Sequence, residues 1–155
     1  MRLADALSGV RRVAIDAGAL IDFVEQDPRT IAVVRPIFER FDDGRLLACG
    51  STLLYSEVYV EGVEDSRRPM PGVAYGEALA RLELAPVTAQ IAQESAALRQ
   101  IWNLDTIDAL HFASALLTDC DAFLTGDEAF LRMGASVPTS GGRSLRVLYT
   151  RTLTR

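Results

Sequence analysis

Short apolar runs alternate with segments of helical period along the whole chain. That alternation is the strongest constraint on its fold. The runs are Arg12–Ile15, Arg45–Cys49, Leu84–Val87, Asp121–Thr125 and Arg146–Tyr149. Between them, Thr30–Phe41 places Ile31, Val34, Ile37, Phe38 and Phe41 at helical spacing. Further helices are expected at Ala19–Glu25, at Leu53–Val60 behind a Gly50-Ser51-Thr52 cap, and at Ala74–Leu82. Thr88 caps a long Ala/Gln/Leu-rich helix to Trp102, and Asp105-Thr106-Ile107-Asp108 opens another to Leu117. A short helix at Glu128–Met133 precedes a loop at Pro138–Arg143. Strands alternating with helices predict an α/β fold, a three-layer sandwich with a central, mostly parallel sheet flanked by helices. No repeat or inter-domain linker interrupts the pattern, and the polar loop at Gly62–Gly72 is too short to divide it. One domain over residues 1–155 is therefore expected.

Residue types narrow the chemistry. All 16 basic residues are arginine, which removes Schiff bases, lysine-bearing phosphate loops and lysine general bases. His111 is the single histidine, so a multi-histidine metal site is excluded. Cys49 and Cys120 cannot close a zinc site and read as reduced core residues. Carboxylates are plentiful: 21 acidic residues leave a net charge of −5. No apolar stretch approaches the roughly 20 residues that cross a bilayer. Met1–Arg12 mixes charge with short apolar pieces, unlike a secretory signal, so a cytoplasmic protein without membrane contact is expected.

Four acids stand out by position. Asp16 ends the first strand, and Asp127 follows the Ala122–Thr125 run across Gly126. In open parallel sheets, sites form beyond the carboxyl ends of strands. Glu57 and Asp108 lie within otherwise apolar helices, where an unpaired carboxylate is costly. Each also has a plain reading. Asp16 and Asp127 can cap the helices that follow them, Glu57 can be solvated, and Asp105 with Asp108 resembles a capping box. Together they fall at one end of the expected sheet, where a hard divalent cation is a natural partner for oxygen ligands.

Four segments are similar to the motifs of PIN-domain nucleases. Val13-Ala14-Ile15-Asp16 with Leu20-Ile21 resembles the first and Ser51-Thr52-Leu53-Leu54-Tyr55-Ser56-Glu57 the second. Asp108-Ala109-Leu110-His111-Phe112-Ala113-Ser114-Ala115 resembles the third and Phe123-Leu124-Thr125-Gly126-Asp127 the fourth. The compact length resembles the VapC type, the toxin half of a bacterial toxin–antitoxin pair. The resemblance implies an acidic pocket of Asp16, Glu57, Asp108 and Asp127 holding Mg²⁺ or Mn²⁺, and endoribonuclease activity. It implies that Asp16 and Asp108 are the main metal ligands, that Glu57 orients water or a second ion, and that Asp127 acts partly through water. Thr125 would hydrogen-bond a carboxylate or the attacking water. It also implies an antitoxin partner and a homodimer. One departure is Gly18, where the family often carries Ser, Thr or Asn.

Some surface expectations follow. Arg67, Arg68, Arg143 and Arg146 are candidate RNA contacts, with solvated surface charge as the plainer reading. His111, one turn after Asp108, is expected to pack or cap, and Trp102 and Phe112 to lie in the core. Excess apolar residues in Ala19–Phe41 and Leu53–Val60, among them Val33, Val58 and Val60, suggest a dimer face. Two alternatives remain beside the toxin: a PIN nuclease of RNA maturation, and a degenerate PIN-fold binding module, which Gly18 keeps open. A phosphoryl receiver domain ranks last, because receivers use a lysine.

Overall fold

The computed structural model describes residues 1–58, 71–139 and 141–154. Its centre is a six-stranded sheet of β1 (Arg12–Ile15), β2 (Leu47–Ser51), β3 (Leu82–Ala85), β4 (Ala122–Thr125), β5 (Ser136–Pro138) and β6 (Ser144–Tyr149). The order is β3-β2-β1-β4-β6-β5. Every pairing is parallel except the edge hairpin β5–β6. Helices α1 (Leu3–Ala6), α2 (Ala17–Val24), α3 (Ile31–Asp42) and α5 (Pro71–Leu79) supply one covering layer, with a helical stretch α4 at 54–58. Leu20, Val34, Ile37, Phe38, Leu54 and Tyr75 are fully buried there against Val13, Ile15 and Leu124. On the opposite face lie α6 (Ala89–Trp102), α7 (Thr106–Leu117) and a 3₁₀ helix (Glu128–Met133). Phe112, Phe123 and Phe130 form a ring cluster at its centre, with centroids 5.0–5.6 Å apart. The three-layer α/β expectation holds, and Trp102, Phe112, Cys49 and Cys120 pack where composition put them.

Several boundaries differ from the sequence reading. β2 and β3 lie two residues to either side of the expected runs because their pairing decides them: Ala48–Ser51 pairs with Leu82–Ala85. The chain turns at Gly44, whose φ is +75°, and Arg45 folds back onto Asp43, so Arg45 and Leu46 stay outside β2. Gly50 has no room for a side chain, since a Cβ there would meet Leu54 Cδ1 at 2.7 Å. α5 starts at Pro71, before the expected Ala74, and stops at Leu79 because Leu82 belongs to β3. α2 begins at Ala17, immediately behind its cap Asp16. Part of the expected Pro138–Arg143 loop is strand, since Pro138 closes β5. Val33 and Val58 are buried within the single chain, so they offer no dimer face; Val60 lies outside the described residues. Among the described residues, no helix is long and apolar enough to cross a membrane.

Candidate active site

The chain passes from β1 outward to β2 and β3, then returns through α6 and α7 to β4 on the other side of β1. Such a reversal leaves a crevice beyond the carboxyl ends of the two central strands. Ile15 pairs with Leu124, and the Asp16 N–H donates to the Leu124 carbonyl at 3.1 Å. Asp16 and Thr125 therefore leave the sheet side by side. Asp16 is 6% exposed, and its carboxylate accepts the Ala19 N–H at 2.7 Å, the cap that starts α2. The Thr125 hydroxyl reaches the same carboxylate and also accepts the Asp127 N–H at 3.0 Å. Asp127 is exposed and caps the 3₁₀ helix through Ala129 N–H at 2.7 Å.

Asp108 enters the crevice from the first turn of α7, where Asp105 caps its N–H at 2.8 Å. The capping-box reading is thus correct for Asp105, and it holds Asp108 where its charge meets Asp16 and Asp127. Burial pushes Asp108 up to about 7, reinforced by Asp105, Asp127 and Asp16 and opposed by His111. Burial likewise lifts Asp16 to about 6 against its bonds to Thr125 and Ala19. Glu57 joins through a second route: its carboxylate is hydrogen-bonded to His111 Nε2. The His111 side chain is 3% exposed, so the expected packed histidine also positions Glu57. Its Nδ1 is buried without a partner among the described residues.

As they stand, no three His, Cys, Asp or Glu side chains among the described residues converge on one metal-holding point. The donor set nevertheless fits a hard divalent ion. It is carboxylate oxygen with a threonine hydroxyl, and burial, reinforced by neighbouring carboxylates, holds Asp16 and Asp108 towards the protonated form, which positive charge relieves. A carboxylate missed by the sequence reading is Asp22, half-buried on α2 with its charge disfavoured first by burial. The signal was available: Asp22 lies one turn after Gly18 in an apolar helix, the criterion that singled out Glu57 and Asp108.

Two arginine expectations fail. Arg146 pairs with Ala122 at the amino end of β4, and its guanidinium donates to the carbonyls of Ala6 and Ser8. Arg143 is bound to Asp119 in the turn before β4. Both therefore lie at the end of the sheet opposite the carboxylates, and Arg67 and Arg68 fall outside the described residues.

The sequence model of the PIN domain matches residues 13–136, from the strand that presents Asp16 past the 3₁₀ helix capped by Asp127. The chain belongs to the PIN domain family. PIN domains are nucleases. A search of curated proteins gives no match. Among solved structures, VapBC2 of Rickettsia felis bound to a promoter DNA fragment superposes with a TM-score of 0.64 at 11% identity. That match covers 88% of this PIN domain chain and 98% of the other. A toxin–antitoxin complex from Klebsiella pneumoniae gives 0.61 at 22% identity, covering 76% and 89%. DNA-bound VapBC of Salmonella typhimurium gives 0.61 at 19%, covering 88% and 98%. At these identities the likeness is one of fold.

Proposed function

We propose that this PIN domain is a divalent-metal-dependent endoribonuclease and the toxin of a toxin–antitoxin pair. The observation that carries the reading is the coupling of Asp16, Asp108 and Asp127 beyond the central strands, with Asp16 and Asp108 both held towards neutrality. Asp16 and Asp108 would be the principal holders of Mg²⁺ or Mn²⁺, with Glu57 and Asp127 beside them. When bound, the ion supplies Lewis acidity and a more acidic water. Thr125 holds Asp16 and the Asp127 backbone in register. His111 fixes Glu57 so that its free oxygen can orient water or a hydroxyl for in-line attack on a phosphodiester. The solved toxin–antitoxin complexes of like fold support an antitoxin partner, and a cytoplasmic setting is part of the same reading. A homodimer is part of the same reading, on a surface other than Val33 and Val58, and sedimentation at micromolar concentration decides it.

Expression in a bacterial host is expected to arrest growth, and co-expression of the cognate antitoxin to restore it. Asp108→Asn abolishes the arrest. Unimpaired growth with an RNA-cleaving protein would instead favour a maturation nuclease. Gly18 gives a separate test. A Cβ there would sit 3.6 Å from Asp16 Oδ1, ordinary contact, and its φ is not in the left-handed region. Gly18→Ser is therefore accommodated. It raises the melting temperature by about 2 °C through helix propensity. Its hydroxyl tightens Mn²⁺ binding about tenfold, read by titration calorimetry. Unchanged affinity would show that Gly18 costs the site nothing.

A further inference from the structure

Beside the carboxylates lies an open cleft of about 470 Å³, lined by Gly18, Asp22, Gly126, Asp127, Glu128 and Arg151. Asp127 belongs to both the cleft and the carboxylate cluster. Three acids would repel a polyanion, yet one cation stands among them. Arg151 follows β6 in a tail that is pinned at both ends. Thr150 N–H donates to Thr125 at 2.9 Å, Thr152 N–H to Tyr149 at 3.0 Å, and Thr154 N–H to Met1 at 3.0 Å. Its guanidinium is 3.7 Å from Glu128, beyond hydrogen-bond length, with the two side chains 47% and 73% exposed. Such an open pair is worth under about 1 kcal/mol, and the guanidinium also reaches the Tyr149 hydroxyl, a contact that a phosphate can replace. Asp22, Asp27 and Tyr149 also feel the Arg151 charge.

The floor of the cleft is bare. A Cβ on Gly126 would come 3.4 Å from Thr150 Oγ1 and 3.7 Å from Asp22 Oδ2. Thr150 is 1% exposed, and its hydroxyl, turned towards Gly126, has no hydrogen-bond partner among the described residues. A planar guanidinium suits the paired non-bridging oxygens of a phosphate. The Asp22 carboxylate beside it suits a ribose 2′-hydroxyl, which can donate to it.

We infer that this cleft is a backbone-binding subsite for single-stranded RNA, in which Arg151 grips a phosphate next to the one facing Asp16 and Asp108. Asp22 then meets the adjoining ribose. This rests on the RNA-cleaving reading above and adds the residue that holds the strand.

The test uses a fluorescein-labelled, mixed-sequence single-stranded RNA. Binding is followed by anisotropy without divalent ions over a range of salt, and cleavage is followed with Mn²⁺. Arg151→Gln weakens binding about tenfold and lowers the slope of log affinity against log salt by about 0.7, one single-strand phosphate contact. Arg151→Lys keeps the slope but binds several-fold less tightly, because the fork is lost. In cleavage the change falls on KM, with kcat within about threefold. Arg151→Gln with wild-type slope and KM, in a protein that cleaves, overturns the subsite and leaves the nuclease reading standing. An Arg151-dependent slope in a protein that never cleaves keeps the subsite and overturns the nuclease. A loss confined to binding of a poly-glutamate peptide, with RNA binding unchanged, overturns the inference in favour of an acidic protein contact.

Discussion

Stripped of divalent ions, the protein melts about 8 °C lower near pH 7.5 than near pH 4.5. The direction follows from the carboxylates at the crevice. Asp16 rises from 3.8 to about 6 and Asp108 from 3.8 to about 7 on folding, burial being the first cause of each. Below the unfolded value both states hold the proton and the folded state carries no penalty. As pH climbs through the folded values, the unfolded chain has already released its protons and is favoured. At about 1.4 kcal/mol per tenfold change in proton affinity, the Asp16 shift amounts to about 3 kcal/mol, of which about 2 kcal/mol falls between about pH 4.5 and 7.5. The Asp108 contribution overlaps with it because each charge raises the other. Asp27, held down to about 2 by Arg29, titrates below this window and does not mask it. Asp108→Asn flattens the profile and makes the metal-free protein more stable near neutrality. Asp16→Asn does the same, since an asparagine oxygen still caps Ala19. Mn²⁺ restores the neutral melting point of the wild type and not of either variant. A profile that is flat or rises with pH contradicts the coupling.

Phe123→Ala has the largest effect on the fold, about 3–5 kcal/mol in urea unfolding. Phe123 is fully buried on β4, edge-on to Phe112 at 5.1 Å and tilted against Phe130 at 5.0 Å. Removing the ring leaves a cavity bordered by two rigid aromatics from α7 and the 3₁₀ helix, which cannot collapse into it. Those same elements present Asp108 and Asp127, so the loss also loosens the site. Phe123→Leu costs about 1–2 kcal/mol, because most of the volume is kept. Phe23→Ala costs less than Phe123→Ala although Phe23 stacks on Phe38 at 3.7 Å, for Phe23 is only partly buried. A Phe123→Ala loss below about 1 kcal/mol contradicts this packing account.

The layer order was legible because alternating strands and helices admit few architectures, and the placement of Asp16 and Asp127 beside the crevice was legible because strand ends mark it. Asp105 and Asp108 showed why a capping reading and a site reading need not compete: the cap is what aims the second acid. What failed depended on pairing. β5 has one buried residue, Val137, and exists because β6 lies beside it. The strand ends of β2 and β3 shifted because partners, not propensity, end a strand. Arg146 was misassigned although the parallel sheet excludes it, since a residue early in β6 lies at the amino end, away from the acids. Arg151, in the tail after β6, sits at the carboxyl end where that rule points. Val33 and Val58 were excess only for a helix packed on one side; the core takes both.

The central claim is that the coupled carboxylates make a metal-dependent ribonuclease. The most direct measurement is cleavage of a mixed single-stranded RNA pool with Mn²⁺ by the wild type, Asp16→Asn and Asp108→Asn. The account predicts cutting that requires the ion and falls by at least about 100-fold in both variants while each remains folded. A folded wild type that leaves the RNA intact and shows no thermal shift on adding Mn²⁺ would contradict it.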